Sequence, residues 1–244
     1  MLGFDRPRLP LRSTLLLVLA ASGCAGSGGQ PAGVATAAHQ AEIEAAMGNP
    51  SAAVALLGRK AEQAPSDAAL QFRYARALAS SGRSEEAIAA AQAARARGQP
   101  SRPLDLLIGR LQIQTGDGTG AEQTFQRLAA DYPADAEALN GLGLARVLRD
   151  DLSGAETAFR QAAARAPGDI VCRNNLGLVL ALEGRDDLAV PMLERLRQEA
   201  PGSRRVRHNL ALAYAAAGQT DAAQTLLQAD LPESEAAEMA RAYA

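Results

Sequence analysis

The sequence of 244 residues has no tryptophan, and aromatic residues make up only 3% of it. Beyond its first residues it also lacks any run approaching the roughly 20 apolar residues that a membrane-spanning helix requires. Its 25 Lys and Arg residues are balanced by 27 Asp and Glu, so it has no basic excess of the kind that binds nucleic acid. The composition predicts a water-soluble body without a nucleic-acid partner.

Histidine and cysteine are scarce, which bears on catalysis and metal binding. The chain has two His residues, His39 and His208, near opposite ends of the sequence, and two Cys residues, Cys24 and Cys172. The glycine-rich segment at 116–120 has neither a preceding strand nor a following Gly-Lys-Ser/Thr, so it predicts a turn between helices rather than a phosphate loop. We therefore expect no catalytic residues, no metal site, no cofactor and no small-molecule substrate.

The amino terminus has the pattern of a secretory signal. Arg6, Arg8 and Arg12 precede the apolar run at 15–21, which is too short to span a bilayer. The run ends in Ala21-Ser22-Gly23-Cys24, which resembles the lipobox of bacterial lipoproteins. That resemblance implies a signal peptide at 1–23, acylation of Cys24 and a flexible linker over 24–33. Two or more acyl chains anchor a protein stably in a membrane.

A period of 34 residues organises the rest of the chain. Alanine recurs at one position, and glycine or aspartate recurs five residues before it: Ala53, Ala87, Ala121, Ala155, Ala189 and Ala223; Gly48, Gly82, Gly116, Asp150, Gly184 and Gly218. A fixed period of this length is typical of stacked helical pairs. Gly, or Asp as a tolerated substitute, ends the first helix of each pair in a left-handed conformation.

Within one period, Leu139, Leu142, Gly143, Ala155 and Phe159 stand where the tetratricopeptide (TPR) pattern has its packing residues. The resemblance implies an all-α fold, an α-solenoid of about six TPR helix-turn-helix repeats with a short C-terminal capping helix. We place the solenoid at 34–237, with repeats that begin near residues 34, 68, 102, 136, 170 and 204, and a tail at 238–244. Small residues at positions 8 and 20 of a repeat let the two helices approach closely.

The first helices of TPR repeats line the concave face of such an array, and this suggests where a partner binds. In repeats 4 to 6 the matching positions hold amides and apolar side chains: Asn140, Leu144, Val147, Asn174, Asn175, Leu178, His208, Asn209 and Leu212. Amides pair with the backbone of an extended peptide, and Leu and Val contact its side chains. For Asn175 and Asn209, hydrogen bonding to neighbouring turns within the array is an equally good interpretation. Arg73, Arg76 and Arg110 add positive charge in repeats 2 and 3, which favours an acidic partner.

A further resemblance concerns the whole arrangement. A lipoprotein signal, about six TPR units, the segment 204–212 and the terminal segment 229–232 are together similar to TadD-like lipoproteins of the tight-adherence (Flp/Tad) pilus system. The resemblance implies a non-enzymatic assembly factor with a secretin or other pilus component as its protein partner. Ala25 after the acylated cysteine favours an outer-membrane anchor that faces the periplasm of a Gram-negative bacterium. A type IVa pilotin-like factor, a periplasmic protease adaptor and a structural tether remain alternatives.

Overall fold

The computed structural model describes residues 48–98 and 101–244, which form twelve α-helices and no strand. The helices are α1 (Pro50–Gln63), α2 (Ala68–Ser80), α3 (Ser84–Arg97), α4 (Arg102–Gln114), α5 (Gly118–Asp131), α6 (Ala136–Leu148), α7 (Leu152–Arg165), α8 (Ile170–Leu182), α9 (Asp186–Glu199), α10 (Arg204–Ala216), α11 (Thr220–Leu227) and α12 (Glu233–Tyr243). The signal segment, Cys24, the linker and most of the first repeat, including His39, lie outside the described residues.

The predicted repeat starts coincide with helix starts. Helices α2, α4, α6, α8 and α10 begin at residues 68, 102, 136, 170 and 204, and we call them A helices. The helices that follow them, together with α1, are the B helices of their repeats. Each of repeats 2 to 6 is therefore a helix-turn-helix pair, and the fold is all-α and of the α-solenoid class.

The turn from each A helix to its B helix uses a left-handed residue. The backbone angle φ is 80° at Gly82, Gly116 and Gly218, 73° at Gly184 and 63° at Asp150. The residue after each of them donates its N–H to a carbonyl five residues earlier, over 2.8–3.0 Å. This closes the end of the A helix as in a Schellman motif. The prediction that Asp150 substitutes for glycine in this conformation is confirmed.

The helix interface within repeats 2, 4, 5 and 6 is built from the small residues that the period predicts. The alanine at position 20 of every repeat retains at most 1% of its surface, from Ala53 to Ala223. Position 24 holds larger side chains that are equally buried, among them Phe159, Leu193 and Leu227, except in repeat 2, where it holds Ala91. Alanine and glycine thus bring the helices close, and the larger side chains fill the space that remains.

The chain divides into two compact units, with the boundary between Thr124 and Phe125 inside α5. In the first unit, α2 contacts both α3 and α4, so consecutive A helices touch. In the second unit α6 contacts α8, and α8 contacts α10, so these three A helices form one layer. This layer carries all nine residues of the predicted groove.

The carboxyl end departs from the period. Helix α11 has 8 residues where the other complete B helices have 14, and the final helix α12 runs from Glu233 to Tyr243, where the sequence predicts a short capping helix. Residues 238–244, which the sequence set apart as a tail, therefore belong almost entirely to this helix. Ala236, Ala240 and Tyr243 of α12 pack against a cluster that includes Ala211 and Leu227, so α12 covers the last repeat.

Candidate protein-binding face of the A helices

Side-chain caps fix where the three A helices of the second unit begin. Asp135 accepts a hydrogen bond from the backbone N–H of Glu137 over 3.0 Å, and Asp169 accepts one from Val171 over 2.7 Å. Ser203 accepts one from Val206 over 3.3 Å. Such caps pair N–H groups that have no partner within the helix, and they set the same register in each repeat. Equivalent residues of α6, α8 and α10 consequently stand 34 positions apart.

Most of the nine predicted groove residues are buried. Asn174 and Leu178 keep only 1% and 2% of their surface, and His208 and Leu212, both on α10, are the two of the nine that are half-buried. The sequence pattern placed the nine together on a partner-facing surface without indicating this burial. Their part in binding a partner stays a prediction, while their part in packing the A helices is visible in the structure.

The asparagines form a hydrogen-bonded chain between repeats. Asn175 on α8 donates from Nδ2 to Oδ1 of Asn140 on α6 over 2.9 Å, and Asn174 donates from Nδ2 to Oδ1 of Asn175 over 3.4 Å. Both bonds are buried. Position 6 of one repeat thus bonds to position 5 of the repeat before it, which supports the structural interpretation of Asn175.

The same two positions one repeat later lack the corresponding hydrogen bond. Asn174 and Asn209 stand 34 residues after Asn140 and Asn175, yet Oδ1 of Asn174 and Nδ2 of Asn209 are buried without a hydrogen-bond partner among the described residues. One atom is an acceptor and the other a donor. Sequence reasoning missed this difference, because asparagine at both positions looks identical in every repeat that has it.

His208 belongs to a charged cluster at the end of the second unit. Its Nε2 accepts from Nε of Arg204 over 3.4 Å and lies 3.6 Å from Oδ2 of Asp230. Burial, followed by the positive charge of Arg204, lowers the pKa of His208 below 6.5, so the imidazole is neutral at pH 7. Asp230 accepts two hydrogen bonds from Arg207 over 2.6 and 2.9 Å, and this pairing lowers the pKa of Asp230.

In the first unit the corresponding surface is basic. Arg76 and Arg110, both at position 9 of their repeats, are exposed, and Arg73 is half-buried. The equivalent position in the second unit holds Leu144, Leu178 and Leu212. The A helices therefore carry charged side chains at this position in one unit and apolar ones in the other.

Residues with potential for chemistry take structural roles. Cys172 is buried beside Leu139 and Ala162, and its thiol lies 3.5 Å from Oδ2 of Asp169. In the glycine-rich turn, Asp117 accepts a hydrogen bond from the N–H of Gly120 over 2.8 Å. Within the described part of the chain, no group of three or more His, Cys, Asp or Glu side chains could hold a metal ion. None of the helices described there is long and apolar enough to cross a membrane.

The period, the left-handed turns and the contacts between A helices define an array of helix-turn-helix repeats. Two models of the family described as tetratricopeptide repeat match the sequence, one at residues 106–170 and the other at 44–111 and 180–244. The second alone matches more than half of the chain. The chain belongs to the tetratricopeptide repeat family, whose members are protein–protein interaction scaffolds.

Solved structures agree with this assignment at the level of the fold. A tetratricopeptide repeat protein from Parabacteroides merdae superposes with a TM-score of 0.69 at 17% identity, over 78% of this chain and 76% of its own. A thermophilic TPR protein of Thermus thermophilus has a TM-score of 0.60 at 20% identity, over 71% and 98%. YrrB, a TPR protein with an unusual peptide-binding site, has a TM-score of 0.57 at 19% identity, over 75% and 95%. No curated protein sequence matches the chain significantly.

Proposed function

We propose that this chain is a lipid-anchored TPR scaffold that binds a protein segment on the A helices of its last three repeats and supports secretin assembly in a tight-adherence (Flp/Tad) pilus system. The observation that carries the binding site is that Oδ1 of Asn174 and Nδ2 of Asn209 are buried without a hydrogen-bond partner among the described residues. A buried polar atom without a partner costs about 1–3 kcal/mol, so a ligand that satisfies both atoms gains free energy there.

The chemistry of the pair matches a peptide backbone. An extended segment presents N–H donors and C=O acceptors, which complement Oδ1 of Asn174 and Nδ2 of Asn209. His208 and Leu212 keep part of their surface exposed on the same helix as Asn209, and they offer accessible contacts beside the pair. Asn140 and Asn175 bond to each other and have less to offer a ligand. YrrB is a relative in fold for which a peptide-binding site is described, which is consistent with this use of the array.

The anchor rests on the sequence of the amino terminus. The lipobox-like Ala21-Ser22-Gly23-Cys24 and the following Ala25 support acylation of Cys24 and retention at the outer membrane, with the repeats facing the periplasm. Acyl chains contribute about 0.8 kcal/mol per buried CH₂, so two or more chains hold the protein at the membrane. The binding site then operates close to the membrane in which a secretin assembles.

The link to the pilus system rests on the segments 204–212 and 229–232. They carry the most specific part of the resemblance to TadD-like lipoproteins, and Arg207 of the first segment bonds to Asp230 of the second. This contact supports the view that the two segments form one structural element. Type IVa pilotin-like factors and protease adaptors share the lipid anchor and the repeats. The identity of the bound partner therefore decides which of the three functions is correct.

Affinity capture of the intact lipoprotein from envelopes tests the function. We expect a secretin or another pilus component among the captured proteins, and fewer surface pili when Cys24→Ala removes the acylation site. Capture of a periplasmic protease in place of pilus components would establish the adaptor function instead. Normal pili with Cys24→Ala, together with no pilus component captured, would overturn the proposal.

The binding site has its own matched test. Asn174→Ala with Asn209→Ala is expected to abolish capture while the protein stays folded by circular dichroism. The control is Gln198→Ala with Gln228→Ala, which removes two exposed amides of the same unit that lie outside the A helices. Equal capture by both double variants would contradict the role of the two unpaired amide atoms. If mutations in the groove have no effect on function, a structural tether is favoured.

A further inference from the structure

Helix α9, the B helix of repeat 5, has apolar side chains on its outer face. The helix packs on α8 and α10 of the second unit. On its other side Leu188 keeps 45% of its surface, one of only two large apolar side chains that are exposed among the described residues. Pro191 is exposed on the same side, and Met192 beside it is half-buried. The proposed function does not use this surface.

The apolar surface belongs to repeat 5 alone. Leu188 stands at position 19, where the other repeats have a small or charged residue: Ala52, Glu86, Gly120, Gly154 and Ala222. Pro191 stands at position 22, where the other repeats have alanine or a polar residue: Ala55, Ala89, Gln123, Thr157 and Thr225. The repeat fold therefore requires neither side chain.

Pro191 lies inside α9, at its sixth residue. Proline is the least favourable residue within a helix, so the stability of α9 does not explain its presence. It has no N–H group, and the helical hydrogen bond that would end on the carbonyl of Asp187 is therefore missing. The centre of this surface consequently combines an exposed ring with a backbone acceptor that lacks its usual helical donor.

Two opposite charges stand at equal distances from Pro191. Asp187 precedes it by four residues and Arg195 follows it by four, and both are exposed on α9. The side chain of Arg195 is 83% exposed and lies 3.9 Å from Glu199 of the same helix. Residues four apart share one side of a helix, and eight residues extend about 12 Å along its axis. A two-fold rotation about Pro191 therefore places each charge opposite its counterpart.

We define the α9 face as Asp187, Leu188, Pro191, Met192 and Arg195. We infer that it binds the α9 face of a second copy of this chain, in an antiparallel helix pair with a two-fold axis at Pro191. Asp187 of each copy pairs with Arg195 of the other, and Leu188 packs against Met192 and the aliphatic part of Arg195 of the other copy. The self-complementary charges favour a second copy over an unrelated protein.

This pairing goes beyond the proposed function and does not depend on it. A single helix pair is smaller than the interfaces of tight complexes, which bury about 1,200–2,000 Å², so we expect association to depend on protein concentration. Because α9 is a B helix, the layer of A helices with Asn174 and Asn209 stays outside the interface. A pair of copies thus has two separate peptide-binding faces.

Disulfide cross-linking of the intact lipoprotein in a non-ionic detergent tests the geometry. A disulfide requires Cα atoms within about 7 Å. A mixture of the Asp187→Cys and Arg195→Cys variants should cross-link, whereas each variant alone should not, because equivalent residues of the two copies are about 12 Å apart along the helix axis. Pro191→Cys should cross-link to itself. Thr157→Cys, at the exposed position 22 of repeat 4, is the control and should not.

Charge reversal tests the pairing in a second way. Asp187→Arg and Arg195→Asp should each weaken association by about fivefold or more, because both symmetry-related charge pairs become repulsive. Mixing the two variants should restore it, since two arginines then face two aspartates. Sedimentation equilibrium in density-matched detergent measures the association. Asp221→Arg is the control, because it makes the same change at the same exposed position of repeat 6 and should have no effect.

A protein that stays monomeric at all concentrations, or a mixture of reversed charges that fails to associate, would overturn the inference. Cross-linking of Asp187→Cys to itself would indicate a parallel pair and would also overturn it. If Pro191→Cys cross-links in envelopes only to a different protein, the α9 face binds that protein instead of a second copy. Capture of a pilus component tests the proposed function separately, so either proposal can fail while the other stands.

Discussion

The ring of Phe159 on α7 lies directly against the backbone of Gly143 on α6. A Cβ atom added to Gly143 would stand 2.5 Å from Cε1 of Phe159, closer than carbon atoms approach in packed proteins. Leu193 takes the same position opposite Gly177 one repeat later, where the added atom would stand 2.7 Å away. Because these residues occupy positions 8 and 24 of their repeats, close backbone approach is what allows the large side chain at position 24.

Gly143→Ala should therefore destabilise the protein. The added methyl group forces the buried Phe159 ring or the helix to move, and overpacking of this kind costs about 1–3 kcal/mol. The measurement is urea unfolding followed by circular dichroism. Gly168→Ala is the control, since Gly168 is exposed and an added Cβ meets nothing within 4 Å. Equal unfolding midpoints for the two variants would contradict this account of the interface.

Asp150 is strained by its left-handed backbone, with φ of 63°. Asp150→Gly should be more stable than Asp150→Ala by about 1 kcal/mol, because a side chain on Cβ is unfavourable in this conformation. At the exposed residue Thr157, inside helix α7, the order should reverse, since alanine favours a helix over glycine by about 1 kcal/mol. Urea unfolding of the four variants checks both orders. If Asp150→Ala is at least as stable as Asp150→Gly, as alanine is expected to be at residue 157, Asp150 is not strained.

The sequence predicts the framework better than the details that matter for binding. The 34-residue period locates the A helices and the left-handed residues because both follow from local chain geometry, and this holds even where Asp150 replaces glycine. At the carboxyl end, where Pro232 interrupts the period, the sequence predicts a short capping helix, and α12 begins there at Glu233. The pairing of Asn175 with Asn140, and its absence at Asn209, depends on side-chain orientation between helices, which a repeat register does not specify.

The two asparagine positions give a direct test of that difference. Asn175→Ala removes the donor to Asn140 and leaves a buried acceptor unpaired, which should cost about 1–3 kcal/mol of stability. Asn209→Ala truncates the same side chain at the same position one repeat later, where Nδ2 has no partner among the described residues. We expect the Asn209 variant to be the more stable of the two in urea unfolding. A loss of stability as large as that of Asn175→Ala would indicate that Asn209 bonds within the array.

The pairing of Arg207 with Asp230 should make the stability of the last repeat depend on pH. The hydrogen bonds from Arg207 lower the pKa of Asp230 below its usual 3.8, so the folded state favours the carboxylate. Its stabilising effect is complete above that value and is lost as the pH falls through the folded-state pKa. His208 contributes a separate loss that begins below pH 6.5, because its lowered pKa favours the neutral imidazole in the folded state.

Unfolding in urea at a series of pH values between about 7 and 3 separates the two effects, because each has its own range. Asp230→Asn should lower the stability by about 1.5–3 kcal/mol near neutral pH, as expected for lost charged hydrogen bonds, and the difference from the wild type should shrink below about pH 4. His208→Gln should remove the loss that begins near pH 6.5 and leave the acid-range loss in place. A difference between Asp230→Asn and the wild type that persists unchanged in acid would show that Arg207 does not stabilise the ionised form of Asp230.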